Sequence, residues 1–133
     1  MTYINIGKLT EEINDINAHC VVKFQAPTAE NNYTWYRLYA DGWVEQGGST
    51  TSGQATPVTV NLPITMANGK YQIQLTAQIT DNTDYTYSTS RITTIRNEND
   101  YTNNTTSFKY AVTSVSGASI VSVCWEVKGM AAV

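Results

Sequence analysis

The stretch Lys70-Tyr71-Gln72-Ile73-Gln74-Leu75-Thr76-Ala77-Gln78-Ile79-Thr80 decides the fold. Tyr71, Ile73, Leu75, Ala77 and Ile79 fall on one side of an extended chain, and Gln72, Gln74, Thr76, Gln78 and Thr80 on the other. That is the period of two of a β-strand. A strand apolar on one face and polar on the other covers a core with one side and meets water with the other, as in antiparallel sheets. Asn68-Gly69 just before it is a turn signal.

The same pattern continues in both directions. Upstream, Pro57 to Leu62 alternates Val58, Val60 and Leu62. Tyr33 to Ala40 places Tyr33, Trp35, Arg37 and Tyr39 on one face and Tyr36 and Leu38 on the other. Asp41-Gly42 predicts a type I′ hairpin, Trp43 to Gln46 its partner strand, and Gly47-Gly48 the close of that strand before a polar loop over 49–55. Cys20 to Gln25 is a further strand, ended by Pro27. Downstream, Tyr85 to Ile95 is strand-like and more polar, and Asn97 to Thr106 is an Asn/Asp/Thr loop. Ser107 to Val115 alternates Phe108, Tyr110 and Val112, Ser116-Gly117 turns the chain, and Ile120 to Lys128 is the last strand. About eight strands with turn signals between them predict an all-β, jelly-roll-like antiparallel β-sandwich.

Composition agrees. Charged residues are 14% of the 133, and the polar surface is built of Thr, Ser, Asn and Gln. Such residues favour strands and turns over helical surfaces. The net charge is −3 without any basic run, which excludes a nucleic-acid partner because phosphate neutralisation needs clustered cations. No apolar stretch reaches the length of a membrane span. Met1 to Lys8 lacks the continuous apolar stretch of a signal peptide. Cys20 and Cys124 sit in apolar strand-like runs and are expected as buried thiols.

Residues 1–19 follow another rhythm. Ile6, Leu9, Ile13 and Ile16 are spaced three, four and three, the a–d–a–d positions of a heptad, with Cys20 at the next a. Two heptads do not hold a helix alone, so the segment must pack on something. One reading is a coiled-coil neck, where Ile at a with Leu and Ile at d favours three strands. The other is an amphipathic helix lying on its own domain. The organisation expected is a helical neck over 1–19 and a β head over 20–133, assembled as a homotrimer.

No catalytic constellation stands out. His19 is the one histidine, without Cys or carboxylates at metal-ligand spacing. Asp81, Asp84, Glu98 and Asp100 lie in polar loops, where nothing supplies the apolar pocket that raises the pKa of a catalytic acid. The chain is therefore expected to be non-catalytic, without metal or cofactor. Its informative feature is aromatic: nine Tyr and three Trp beside two Phe. Trp35, Tyr36, Tyr39 and Trp43 cluster in the first hairpin and are read as core or subunit packing. Tyr85, Tyr87 and Tyr101 lie in or beside polar loops, where a flat ring with a hydrogen-bonding edge suits surface recognition.

The run from Pro27 to Gly48, with Trp35-Tyr-Arg-Leu-Tyr-Ala-Asp-Gly-Trp-Val-Glu-Gln-Gly-Gly48 as its specific part, resembles a signature of tail-fibre and receptor-binding proteins of tailed bacteriophages. Cys124-Trp-Glu-Val-Lys-Gly129 resembles the usual ending of such chains. With the strands between, the resemblance covers about residues 20–133. It implies a distal trimeric knob on a stalk, part of the virion, made in the host cytoplasm and contacting a bacterial cell-surface glycan or outer-surface protein without entering the membrane. A trimerising or capping module with no ligand of its own is the alternative. Trp35, Tyr36, Arg37, Asp41, Gly42 and Trp43 then set the hairpin, and receptor contact is expected in the loops, at Asp84, Tyr85, Tyr87, Asn99, Asp100 and Tyr101.

Overall fold

A computed structural model describes residues 6–50, 57–79, 91–96, 102–113 and 120–133. One helix, α1 (Ile6–Ala18), leads into eight strands: β1 (Val21–Gln25), β2 (Trp35–Tyr39), β3 (Trp43–Thr50), β4 (Val58–Asn61), β5 (Gln72–Ile79), β6 (Arg91–Ile95), β7 (Ser107–Thr113) and β8 (Ile120–Met130). They form two sheets, a five-stranded one in the order β1-β2-β3-β8-β5 and a three-stranded one in the order β4-β7-β6. Every pairing is antiparallel.

The core lies between the sheets and is filled by the predicted alternations. Phe108, Tyr110 and Val112 of β7 face Val123, Trp125 and Val127 of β8, all buried. Phe108 meets the Trp125 ring edge-on at 5.8 Å, and Tyr110 reaches across to share a 2.5 Å hydrogen bond with Thr50. Tyr71 is buried, and Ile73, Leu75 and Ala77 pack against the same cluster, while Gln72, Gln74, Thr76 and Gln78 are exposed. Each large core side chain contributes about 1.5–3 kcal/mol of burial.

Two of the described residues are both buried and polar, Gln46 and Asn103. Gln46 points inward from β3. Its amide nitrogen donates to the Ile64 carbonyl and its oxygen accepts from the Ile64 amide, both at 2.9 Å. It thereby satisfies a stretch of irregular backbone that crosses from one sheet to the other, which a buried strand cannot do for it.

Several local expectations are corrected. The Gly47-Gly48 pair does not end a strand; β3 runs through it to Thr50. The glycines face opposite sides and each makes room for an indole. A Cβ on Gly47 would sit 2.7 Å from Trp35 Nε1, and one on Gly48 3.0 Å from the Trp125 ring. The Asp41-Gly42 turn is not type I′, which needs positive φ at both residues. Only Gly42 is left-handed, at φ +90°. The Gly42 amide donates to the Tyr39 carbonyl at 3.0 Å, and the Trp43 amide donates to Asp41 Oδ1 at 2.9 Å. The result is a three-residue loop whose last residue is a left-handed glycine.

Cys20 is exposed rather than buried, and Cys124 is half-buried. The C-terminal tail is not frayed. Ala131 is buried, its amide donates to Gly42 O, and the Ala132 amide donates to Thr65 O, each at 2.8 Å.

α1 does not lie back on the sandwich. None of its residues is buried, and Ile6, Leu9, Ile13 and Ile16 are 76%, 44%, 47% and 64% exposed. The reading in which this helix packs on its own domain is not what the fold shows. Backbone bonds from Asp41 N to Ala18 O and from Ala40 N to Cys20 O tie its end to the β2–β3 turn.

Candidate functional site

The strand registers fix which ends of the sandwich the loops leave from. α1 joins at the β2–β3 turn, which defines the neck end. Thr50 pairs with Val123 and Ile79 with Ile120, so the end of β3, the end of β5 and the start of β8 meet at the opposite end. In the other sheet Arg91 pairs with Thr113, beyond the Tyr110 that bonds Thr50, so the start of β6 and the end of β7 also lie there. The strand ends flanking residues 51–56, 80–90 and 114–119 thus gather away from α1.

The strand ends flanking 97–101 are at the neck end instead. Asn103 N donates to Gly69 O, and the Tyr71 hydroxyl lies 2.7 Å from Asn104 O and 2.9 Å from Ser107 O, beside the start of β5. Gly69 is required here by close approach, since a Cβ would collide with the Asn103 carbonyl. Burial alone pushes the Tyr71 hydroxyl up to about 12.

Asp84, Tyr85, Tyr87, Asn99, Asp100 and Tyr101 themselves lie outside the described residues. The topology separates them into two groups, since the strands bordering the first three and the last three end at opposite poles of the head. Thr102, Asn103 and Asn104, the described part of the second loop, line a hollow of about 310 Å³ with Arg96 and Lys109.

The hairpin residues lie mainly on the outer face of the five-stranded sheet. Trp35 and Arg37 point away from the core, with the guanidinium 6.0 Å from the indole centroid. Tyr39 donates to Glu45 at 3.3 Å and Lys128 pairs with Glu126 at 2.9 Å on the same face. That ion pair raises the Lys128 ammonium pKa. Leu38, on the opposite face, turns inward to the core.

The largest hollow of this face, about 550 Å³, was not anticipated from sequence. Tyr33 and Trp35 stand on one side of it and Gln74, Thr76, Gln78 and Glu126 on the other. Its lining residues come from four strands and one connection, and no linear motif joins them. The connection is rigidly made. Thr28 and Asn31 cap one another through side chain and backbone around a short turn over Ala29–Asn31, and Tyr33 N donates to Thr28 O at 2.8 Å. Ser49 N donates to Asn32 O at 3.2 Å and anchors the loop to β3. Asn32 and Tyr33 are both held at φ +56°. That conformation is uncommon for a bulky residue and persists only where the surroundings fix it.

A run of exposed apolar side chains marks the helix and the first strand. It runs from Ile6 to Ile16 along α1 and on through Val21, Val22 and the 71%-exposed Phe24 of the edge strand β1. At the joint, His19 Nδ1 donates to Asp15 O at 2.8 Å, and its ring lies 3.6 Å from the Asp15 carboxylate and 3.9 Å from that of Asp41. Among the described residues no group of three or more His, Cys, Asp or Glu is placed to hold a metal, and no helix is long and apolar enough to cross a membrane.

No family model matches this sequence, and no curated protein matches it. Two solved structures share its fold. A C-terminal segment of the R2 pyocin fibre of P. aeruginosa aligns over 96% of this chain and 30% of its own, with a TM-score of 0.53 and 12% identity. An N-truncated R2-type pyocin tail fibre aligns over 97% of this chain and 52% of its own, with a TM-score of 0.56 and 11% identity. At these identities the likeness is one of fold, and this chain spans at most about half the length of either structure.

Proposed function

We propose that this chain is the receptor-contacting end of a trimeric tail fibre, a virion component whose α1 is the last part of a stalk. The observation that carries this reading is the uncovered seam from Ile6 to Phe24, on a head that shares its fold with pyocin tail fibres. Apolar side chains at heptad spacing have no stabilising role in water on a lone helix of this length. Three copies packed a-to-a and d-to-d bury them, and the exposed face of β1 continues the same contact. Two further copies of this chain are thus its first partners.

A stalk on one pole leaves the opposite pole to meet the host. The strand ends flanking 80–90 lie at that pole, so Asp84, Tyr85 and Tyr87 are the receptor contacts favoured here. Asn99, Asp100 and Tyr101, bordered by strands that end at the neck pole, are second. A bacterial surface glycan or outer-surface protein is the ligand class. Three weak sites on one trimer act together, which multiplies apparent affinity by about 10²–10⁴ where geometry permits.

Sedimentation equilibrium at micromolar concentration is expected to give a trimer for the full chain and a monomer for a chain lacking residues 1–18. A monomeric full chain refutes the assembly. Binding of labelled trimer to whole bacterial cells is expected to fall with Tyr85→Ala more than with Tyr101→Ala. A trimer that binds no host cell supports the alternative, a module that only trimerises or caps the fibre.

A further inference from the structure

We propose that the outer face of the five-stranded sheet carries a binding groove for a neutral saccharide, bounded by Trp35 and Tyr33 on one side and by Gln74 and Gln78 on the other. The inference names a ligand class and a surface beyond the loop residues favoured above, and it rests on the receptor reading only for its biological setting.

Three properties of the groove point to this ligand. The first is size: about 550 Å³ lies within the range of small-ligand sites and accommodates a sugar ring with its neighbours. The second is polarity. Glu126 is the one charged residue lining the groove, and no Lys or Arg does so. Within the lining an anionic group therefore meets a carboxylate and no cation; Lys128, which pairs with Glu126 at 2.9 Å, and Arg37, 6.0 Å from the Trp35 indole centroid, stand outside it, and phosphorylated or acidic sugars are disfavoured. A neutral polyol finds donors and acceptors in alternation. Gln78 Oε1 accepts from Ser122 at 2.6 Å, so the amide offers its NH₂ as a donor. The Glu126 carboxylate, held by Lys128 at 2.9 Å, accepts from hydroxyls. Trp35 adds an indole N–H.

The third property is preorganised aromatic surface. Pyranose rings present an apolar C–H face that packs on flat aromatic rings, and Trp and Tyr combine such a face with a polar edge. Trp35 is seated by the absence of a side chain on Gly47. Tyr33 is exposed and is locked in a left-handed conformation by the capped turn before it. This strained, over-determined tyrosine beside an open hollow is the kind of feature that marks ligand sites. The remaining polar groups stand on strands β5 and β8, so their use orders side chains and not backbone.

The test is a titration of the full-length, uniformly ¹⁵N-labelled chain with neutral sugars (glucose, galactose, N-acetylglucosamine and their short oligomers), followed by NMR. The Trp35 indole and the Gln74 and Gln78 side-chain amides are expected to shift together and to saturate at millimolar sugar. Glucuronate and inorganic phosphate are expected to leave them unmoved. The double variant Gln74→Ala/Gln78→Ala changes only exposed outward residues and keeps the fold. It is expected to weaken sugar binding by about tenfold or more, the loss of several directed hydrogen bonds.

A measurement independent of folding defects uses Cys124, which lines the groove. In the Cys20→Ser chain, saturating sugar is expected to slow alkylation of Cys124. Unshifted groove signals with every neutral sugar, a preference for the acidic probes, or unchanged alkylation each overturns the proposal. Cell binding that survives in the double variant removes the groove from host attachment while leaving the fibre reading intact. Sugar binding in solution by a trimer that binds no cell has the converse meaning.

Discussion

The head and the neck of this molecule use apolar residues in opposite ways. In the head, β7 and β8 alternate so strictly that Phe108, Tyr110, Val123 and Val127 are all but inaccessible to water. In the neck and the first strand, Ile6, Leu9, Ile13, Ile16, Val22 and Phe24 are equally apolar and lie open. The two stretches differ in what completes them. Two sheets of one chain close the head, whereas the apolar stripe of α1 is covered by none of the described residues. The contrast places the folding core in one region and is what the proposal of association in the other rests on.

The largest effect expected from this division is Phe108→Ala, which leaves a cavity between the sheets beside Trp125. It is expected to cost about 3–5 kcal/mol in denaturant unfolding. Ile13→Ala removes comparable apolar bulk from the neck. On dissociated chains it is expected to change stability by no more than the ~0.5 kcal/mol of a surface substitution, while abolishing the trimer in sedimentation. Equal loss of head stability in both variants would erase the distinction.

Gln46→Leu is next. It keeps the volume of the buried side chain and deletes both bonds to Ile64. An expected loss of roughly 1–3 kcal/mol follows from stranding a buried amide and carbonyl. A neutral outcome would show that the stretch after β4 takes water instead.

How much of this was legible in sequence follows from what each element depends on. The alternation of β5 and β7 was readable because a strand with one buried face writes its environment into every second residue. The seam of α1 was readable for the same reason at a helical period. Gly47-Gly48 was misread as an ending because its purpose lies in Trp35 and Trp125, one before it and one far after it in the chain. A glycine that makes room for a remote indole has the same sequence signature as one that turns. Asp41-Gly42 was correctly placed as a turn and given the wrong type, since the dipeptide does not encode whether Ala40 joins the loop. The outer-face groove was invisible because the outward side of β5 reads simply as wetted sheet. Only the register sets Gln74 and Gln78 opposite an indole from β2.

Ionisable groups sharpen the comparison at smaller scale. Tyr71, in the head, has its hydroxyl pKa raised from the usual 10 to about 12 by burial. The folded state keeps a proton that the unfolded state releases, so the contribution is intact below pH 10 and is lost as pH rises toward 12. Alkaline unfolding over that window is expected to be steeper for the native chain than for Tyr71→Phe. Identical profiles would mean that the hydroxyl reaches water.

His19 is the neck's counterpart, and its shift has another cause. The ring is exposed, and the desolvation it does suffer lowers its pKa by less than its partners raise it. Its pKa is raised above 6.5 by the hydrogen bond to the Asp15 carbonyl, then by the Asp15 carboxylate, with a smaller part from Asp41. The sign is that of a cation gaining partners. The stabilisation that the protonated ring gains, mainly from Asp15 and in smaller part from Asp41, is fully present below pH 6.5 and is lost as pH rises through the raised folded value. As the one histidine in the chain, it gives a single resolved C2 proton signal whose titration reads this value directly. Asp15→Asn removes the nearer charge and keeps the carbonyl, so it is expected to lower the pKa partway toward 6.5. Asp41→Asn is expected to lower it by less. A larger fall with Asp41→Asn would mean that the turn of the head, rather than the helix, holds the ring. An ordinary value in the native chain would mean that head and neck meet only through backbone bonds.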